Sequence, residues 1–351
     1  MHPTINCYTE STGTAYAQFL RLHKLELDVY YTSEFLKVEA EMQGGTYEVF
    51  VVCFNQSVFI YPYIRLSFES NGVSVTDISS PYGYCGPFCN DNSFFEIAET
   101  LFLNYAKEQC FVTEFIRYHY LYNVEQKFKQ NVNNFHNRFI VMLDLQNTWD
   151  HIWLKEMSGT NRNIVRKLEK EDYTVEVSHG TNHLDEFIDM YRKTMDHAGA
   201  EKFYYFEKNY YYNLFNSLKE LIFLVRVRKE GVTHASSLFF ISGSILTYYL
   251  SARNLQYTSI PASNLMLTEA ARYGHQLNLS IFNLGGGRIN SIEDPLFRFK
   301  RSFSRSSADF FIGKRVHNPD VYRQLTEWYI EKNGMEKYEQ VKAFLQFYRN
   351  G

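Results

Sequence analysis

From Thr46 the chain reads in short apolar runs broken by turn formers, the pattern of strands. TYEVFVVCFNQSVFIYPYIRL (46–66) predicts two strands joined at Asn55-Gln56, and VSVTDI (73–78) predicts a third. The loop SSPYGYCGPFCNDN (79–92) follows, and then the period changes. In SFFEIAETLFLNYAKEQ (93–109), Phe94, Ile97, Ala98, Leu101 and Tyr105 recur at helical spacing. Ser93 with Glu96 suggests a capping box at its start. CFVTEFIRYH (110–119) is the returning strand.

The same order recurs. Three strands are expected within ELIFLVRVRKEGVTHASSLFFISGSILTYYLSA (220–252), turning at Glu230-Gly231 and Ser242-Gly243. The loop RNLQYTSIPA precedes a helix capped by Ser263, and SIFNLGG (280–286) is its returning strand. Ser93 to Cys110 and Ser263 to Ser280 are equally far apart. The chain therefore reads as mixed α/β, with two copies of one unit, each a mixed sheet with flanking helices. The expected boundary gives a first unit over 1–145. A second covers 146–351 and carries the linking helices and two closing C-terminal helices. One linking helix shows Leu184, Phe187, Ile188, Tyr191 and Met195 on one face.

Composition narrows the class. The chain has 351 residues, enough for two such units, and a net charge of −3, which argues against a general DNA-binding coat. Aromatic residues make up 17%, enough to line pockets with rings. There is no run of 18 apolar residues and no secretory leader pattern at the start, so a cytoplasmic protein without an integral membrane segment is expected. Five cysteines, an odd number, fit reduced thiols. Cys85-x3-Cys89 lacks a second pair with metal-ligand spacing.

The densest chemistry lies in FNLGGGRINSIEDPLFRFKRSFS (282–304). Gly285, Gly286 and Gly287 follow a strand, yet no helix is evident behind them and no phosphate-loop motif is complete. They suit close approach of a second backbone or of a ligand. Residues 285–315 carry Arg288, Arg298, Lys300, Arg301, Arg305, Lys314 and Arg315 against Glu293, Asp294 and Asp309. Taken as a strand, Phe297 and Phe299 share one face while Arg298 and Lys300 share the other, free to meet an anion. An amphipathic edge strand with solvated cations fits the same pattern. Arg162, Arg166, Lys167 and Lys170 form a second basic face on a predicted helix. Asp77 is either a general base or a turn-capping carboxylate.

Strand-loop-helix-strand is the core of the GNAT acyltransferase unit. Acetyl-CoA enzymes of that class carry a pyrophosphate loop of roughly R/Q-x-x-G-x-G/A before the central helix. Here the second loop has no glycine, and the first has Gly83 and Gly86 without the basic lead.

Four segments in this order resemble the Fem-type (FemAB-like) aminoacyltransferases, whose fold is two GNAT-like units in tandem. They are DISSPYGYCGP (77–87), EFIRYHYLYN (114–123), NRNIVRKLEKE (161–171) and NLGGG…DPLFRFKRSFS (283–304). The resemblance implies transfer of an aminoacyl group from aminoacyl-tRNA to an amine of a peptidoglycan precursor during cell wall biogenesis. No cofactor is implied. Lys300 would stabilise the charged transition state, Phe299 would hold the tRNA end, and Asp77, Tyr82, Tyr84 and Arg117 would face the acceptor. Cys85 departs from the family's usual glycine, and Tyr120 stands where a proline is common. The donor is therefore open between aminoacyl-tRNA and acyl-CoA. A CoA-dependent N-acyltransferase of an envelope sugar or small metabolite is one alternative, and a non-catalytic binding protein on the same fold is another.

Overall fold

The computed structural model describes residues 2–70, 72–128 and 131–350. It divides into two compact units. Unit 1 holds the chain up to His23, Tyr30–Asn137 and everything from Phe310 onward. Unit 2 holds Lys24–Val29 and Arg138–Asp309.

The strands are β1 (Thr4–Thr9), β2 (Thr46–Phe54), β3 (Ser57–Ser70), β4 (Val73–Ser79), β5 (Phe88–Cys89), β6 (Phe111–Arg117), β7 (Asn133–Asp144), β8 (Thr174–Ser178), β9 (Ile222–Lys229), β10 (Val232–Ser242), β11 (Ile245–Arg253), β12 (Ile281–Gly286) and β13 (Ser306–Val316). In unit 1 the sheet order is β1-β2-β3-β4-β6-β13, with β5 beside β3. β2, β3 and β4 form an antiparallel meander, and β6 then joins β4 in parallel after the helix Phe95–Glu108. Unit 2 repeats this: β9, β10 and β11 run antiparallel, the helix Ala262–Gln276 crosses over, and β12 joins β11 in parallel. A parallel neighbour needs such a crossover, so the helix follows from the strand order. The sheet of unit 2 reads β7-β12-β11-β10-β9-β8.

Burial explains which face each helix covers. In unit 1, Phe50, Tyr61, Phe102 and Phe111 form one core with the crossover helix. Its buried stripe is Phe95, Ala98, Phe102 and Ala106, whereas Ile97 is 51% exposed. Ser93 is not the cap; its N–H and hydroxyl both donate to the Asp91 carboxylate, and Phe94 stands at the cap position. The second crossover helix is capped two residues earlier than expected, at Pro261 rather than Ser263. In unit 2, Phe223, Val225 and Val227 of β9 meet Val165, Leu168, Leu265 and Met266 from the helices Gly159–Lys170 and Ala262–Gln276. The alternate residue Arg226 points the other way and pairs with Glu186 of the helix Leu184–Ala198.

The observed division differs from the expected 145/146 boundary: the break falls between Asn137 and Arg138, and the chain from Phe310 onward returns to unit 1. The helices Pro319–Asn333 and Met335–Val341 belong to unit 1, because Leu325, Tyr329, Phe347 and Tyr348 bury themselves on Val75 of β4 and Val112 of β6. Chain order placed them with the second unit; the apolar surface they cover lies on the first.

Candidate active site

The run 282–304 supplies the most built cluster in unit 2. β12 ends in the glycines, and a short helix, Pro295–Arg301, follows a turn. The alternating strand expected over 297–300 is therefore a helix. Its start is written in the sequence: Asp294 accepts the Phe297 N–H at the cap position, and Pro295 fills the first turn. On a helix, Phe297 and Lys300 share the buried side. Arg298 points out, 3.5 Å from Glu293, with both side chains mostly exposed. Phe299 is half-buried against the core and edge-on to Phe303 at 5.5 Å. Arg298 is thus parted from Lys300, while Phe299 stays beside it.

The glycines serve this turn. Gly285 sits at φ +75°, a conformation that disfavours other residues. At Gly287 a Cβ would lie 2.6 Å from Asp294 Oδ1. That closeness lets the Asp294 carboxylate also accept from the N–H groups of Arg288 and Ile289, at 3.1 and 3.2 Å. Burial alone would raise the Asp294 carboxyl, but the N–H groups of Phe297, Ile289 and Arg288 hold it below its usual range.

Lys300 is only 7% exposed. Its Nζ donates to the Gly286 carbonyl at 2.8 Å and lies 5.4 Å from the centre of the Tyr248 ring. Arg138 of β7 donates to the next carbonyl, Gly287, at 3.0 Å. Burial pushes the Lys300 amine down to about 7, the Arg138 charge pushes the same way, and Asp294 pulls upward. Lys300 is the cation that the family resemblance would set at the transition state, and here its burial disfavours the charged form. Near neutral pH it exists in both forms and can accept a proton as well as give one.

In unit 1, Tyr82, Tyr84 and Arg117 gather around the loop after β4. The Tyr82 N–H donates to Glu39 Oε2 at 2.8 Å. Tyr84 is edge-on to Tyr30, Tyr120 and Phe310. Arg117 donates to the Ser80 carbonyl at 3.0 Å and lies over the Phe115 ring. Cys85, in place of a glycine, is buried and donates to the Tyr30 carbonyl at 3.1 Å. Cys89 donates to the Asp91 carbonyl instead.

Asp77 does not join them. It is fully buried on the Val75 side of β4, where Thr113 donates through both N–H and hydroxyl, and the Tyr348 hydroxyl lies 3.0 Å from each carboxylate oxygen. The general-base assignment is corrected to an anchor for the C-terminal segment. Burial raises its carboxyl to about 6, against the opposing hydrogen bonds. The folded state then holds the proton more tightly than the unfolded one, so this group's contribution falls as pH rises from about 4 to 6. Asp77→Asn, which can still accept from Thr113 and Tyr348, is expected to leave transfer within about twofold of wild type and to unfold no more easily at pH 7.5. A large loss of turnover at unchanged stability would restore Asp77 to the mechanism.

The second basic face splits too. Arg162 turns inward and caps the carbonyls of Trp153, Leu154 and Met157. Arg166, Lys167 and Lys170 remain on the exposed side of their helix. Among the described residues no cluster of three or more His, Cys, Asp or Glu could hold a metal ion, and no helix is long and apolar enough to cross a membrane.

With this geometry in hand, residues 157–301 match the family model described as an acetyltransferase (GNAT) domain. Residues 157–301 are thus similar to a GNAT-type acetyltransferase domain. The matched segment runs from Met157 to Arg301 and so contains the glycines and Lys300. The structure of FemX superposes with a TM-score of 0.68 at 14% identity, over 92% of this chain and 99% of that one. A conserved protein of unknown function from Bacteroides thetaiotaomicron gives 0.55 at 11% identity, over 90% of this chain and all of that one. The C-terminal domain of a putative lysylphosphatidylglycerol synthetase from Agrobacterium fabrum gives 0.52 at 13% identity, over 88% and 94%. No curated protein matches by sequence. The tandem fold expected from the four Fem-like segments is the fold this chain has.

Arg138, Asp294 and Tyr248 were missed in the sequence. Asp294-Pro295 is a readable helix start. Arg138 has no local signal: register alone brings it in, because β7 runs antiparallel to β12 with Ile140 opposite Gly286.

Proposed function

We propose that this acyltransferase moves an aminoacyl group from aminoacyl-tRNA to an amine of a cell-envelope precursor, in the cytoplasm and with no cofactor. The four Fem-like segments on a FemX-like fold support the reaction class. The observation that favours a tRNA donor over CoA lies in the loop before the helix Ala262–Gln276. A pyrophosphate cradle needs outward N–H groups there. Instead, the N–H groups of Gln256 and Tyr257 donate to Asn254, that of Ile260 donates to the Tyr257 carbonyl, and that of Asn264 donates to the Pro261 carbonyl. Lys300 is the residue we assign to the chemistry, with Phe299 beside it to hold the donor end.

The acetyltransferase-domain match favours a second reading, an acyl-CoA donor. Transfer assays with charged tRNA and with acyl-CoA, run on the same peptidoglycan-precursor and amino-sugar acceptors, separate the two. Product with charged tRNA only is the expected result. Product with acyl-CoA alone would overturn the tRNA assignment.

A further inference from the structure

The reaction proposed above leaves Arg138 without a role, and its position is unusual for a purely structural cation. It stands on the strand beside the glycine run, and its stem fills the space a Gly286 Cβ would need, with Cδ 2.8 Å from that point. Its guanidinium holds the Gly287 carbonyl while the Lys300 amine holds the Gly286 carbonyl. Two basic groups thus grip consecutive carbonyls of one turn. A buried carboxylate, Asp294, grips the two N–H groups that follow. The other group packed on Lys300 is the Tyr248 ring.

We propose that Arg138 is a positioning residue for acyl transfer: it clamps the carbonyl turn that holds Lys300 and sets a second positive charge beside that amine. This rests on Lys300 acting in the transfer, as proposed above. The neutral amine keeps its bond to Gly286 and retains one lone pair. The acceptor amine attacks the ester carbonyl of the donor and forms the C–N bond. Its proton passes to Lys300, and the resulting ammonium faces the oxyanion. Collapse breaks the C–O bond, and the departing alkoxide takes the proton back from Lys300. Amine and ester become amide and alcohol, and the enzyme is unchanged. Burial and Arg138 both press the Lys300 equilibrium in the direction this sequence needs, and Asp294 opposes them.

The test uses the full-length protein with 13Cε-labelled lysine, the Lys300 signal being assigned by its absence in Lys300→Met. The wild-type signal is expected to titrate near pH 7. In Arg138→Met its midpoint is expected to rise by roughly one unit, and the acid limb of kcat/KM is expected to rise with it. Arg138→Lys, which keeps the charge, should return the midpoint most of the way. A wild-type midpoint in the ordinary lysine range would overturn the proposal without any variant, as would a folded Arg138→Met whose Lys300 midpoint stays put. The titration needs no substrate. If it behaves as expected while Lys300→Met still transfers, the functional assignment fails and the tuning by Arg138 stands.

Discussion

Lys300→Met is expected to reduce transfer by about 10²–10³-fold, the range seen when one group stabilising an oxyanion is removed. Folding should be nearly undisturbed. Methionine has similar volume, and losing a buried amine relieves desolvation while giving up one bond to the Gly286 carbonyl. Initial rates with the active donor, beside a thermal melt, check both halves. Unchanged turnover would remove Lys300 from the mechanism; a collapsed melt would make it an anchor like Asp77. The two residues are instructive together. Burial moves both toward neutrality, the carboxyl to about 6 and the amine to about 7. Asp77 is saturated by Thr113 and Tyr348, which leaves nothing for a substrate. Lys300 as a free amine donates to one carbonyl and keeps its lone pair. Saturation of partners, more than the size of a shift, separates an anchor from a candidate catalyst.

Much of this architecture was readable. The meander, crossover helix and parallel return are local in period and turn chemistry, and both copies fold in the expected order. Glu230-Gly231, for instance, turns with both residues at positive φ. Three of the differences share a cause, a partner distant in the chain. Lys300 could be singled out, but its charge state depends on burial first and then on Arg138, brought in by the pairing of β7 with β12. Asp77 looked available until Tyr348 closed over it. The closing helices were legible as helices, yet nothing in their own pattern says which apolar surface they cover. The alternation of Phe297, Arg298, Phe299 and Lys300 was a different kind of error. The four-residue alternation competes with Asp294-Pro295, and a capping carboxylate followed by proline is the stronger local signal.

The largest stability effect is expected at Arg315, where unit 1 buries a network that does not involve Lys300. The guanidinium is 2% exposed and reaches Glu99 at 2.5 Å and Glu114 at 3.0 Å, both carboxylates also buried. Glu114 further accepts from the Tyr61 hydroxyl at 2.7 Å and lies 2.9 Å from His317 Nε2. Arg315→Met would leave two carboxylates facing each other away from water. Breaking such a set at one member costs about 3–5 kcal/mol, and a fall of about 10 °C in the melting temperature of unit 1 is expected. Substituting Glu99 and Glu114 by glutamine in the same chain should recover part of that loss, because the charge left unpaired carries the penalty. The pH dependence should change sign. In wild type, burial would raise the Glu114 carboxyl, but Arg315 and His317 outweigh it and hold the group at about 2. A depressed carboxyl stabilises above its unfolded value, about 4.3, and that contribution disappears as pH falls toward 2. Without Arg315 the desolvation of Glu114 is unopposed by the guanidinium and its carboxyl rises, so acidification through pH 5 should stabilise the variant relative to its own value at pH 7. Melts of both proteins across pH 4–8 decide the matter: parallel curves would mean that Arg315 does not control the ionisation of its partners.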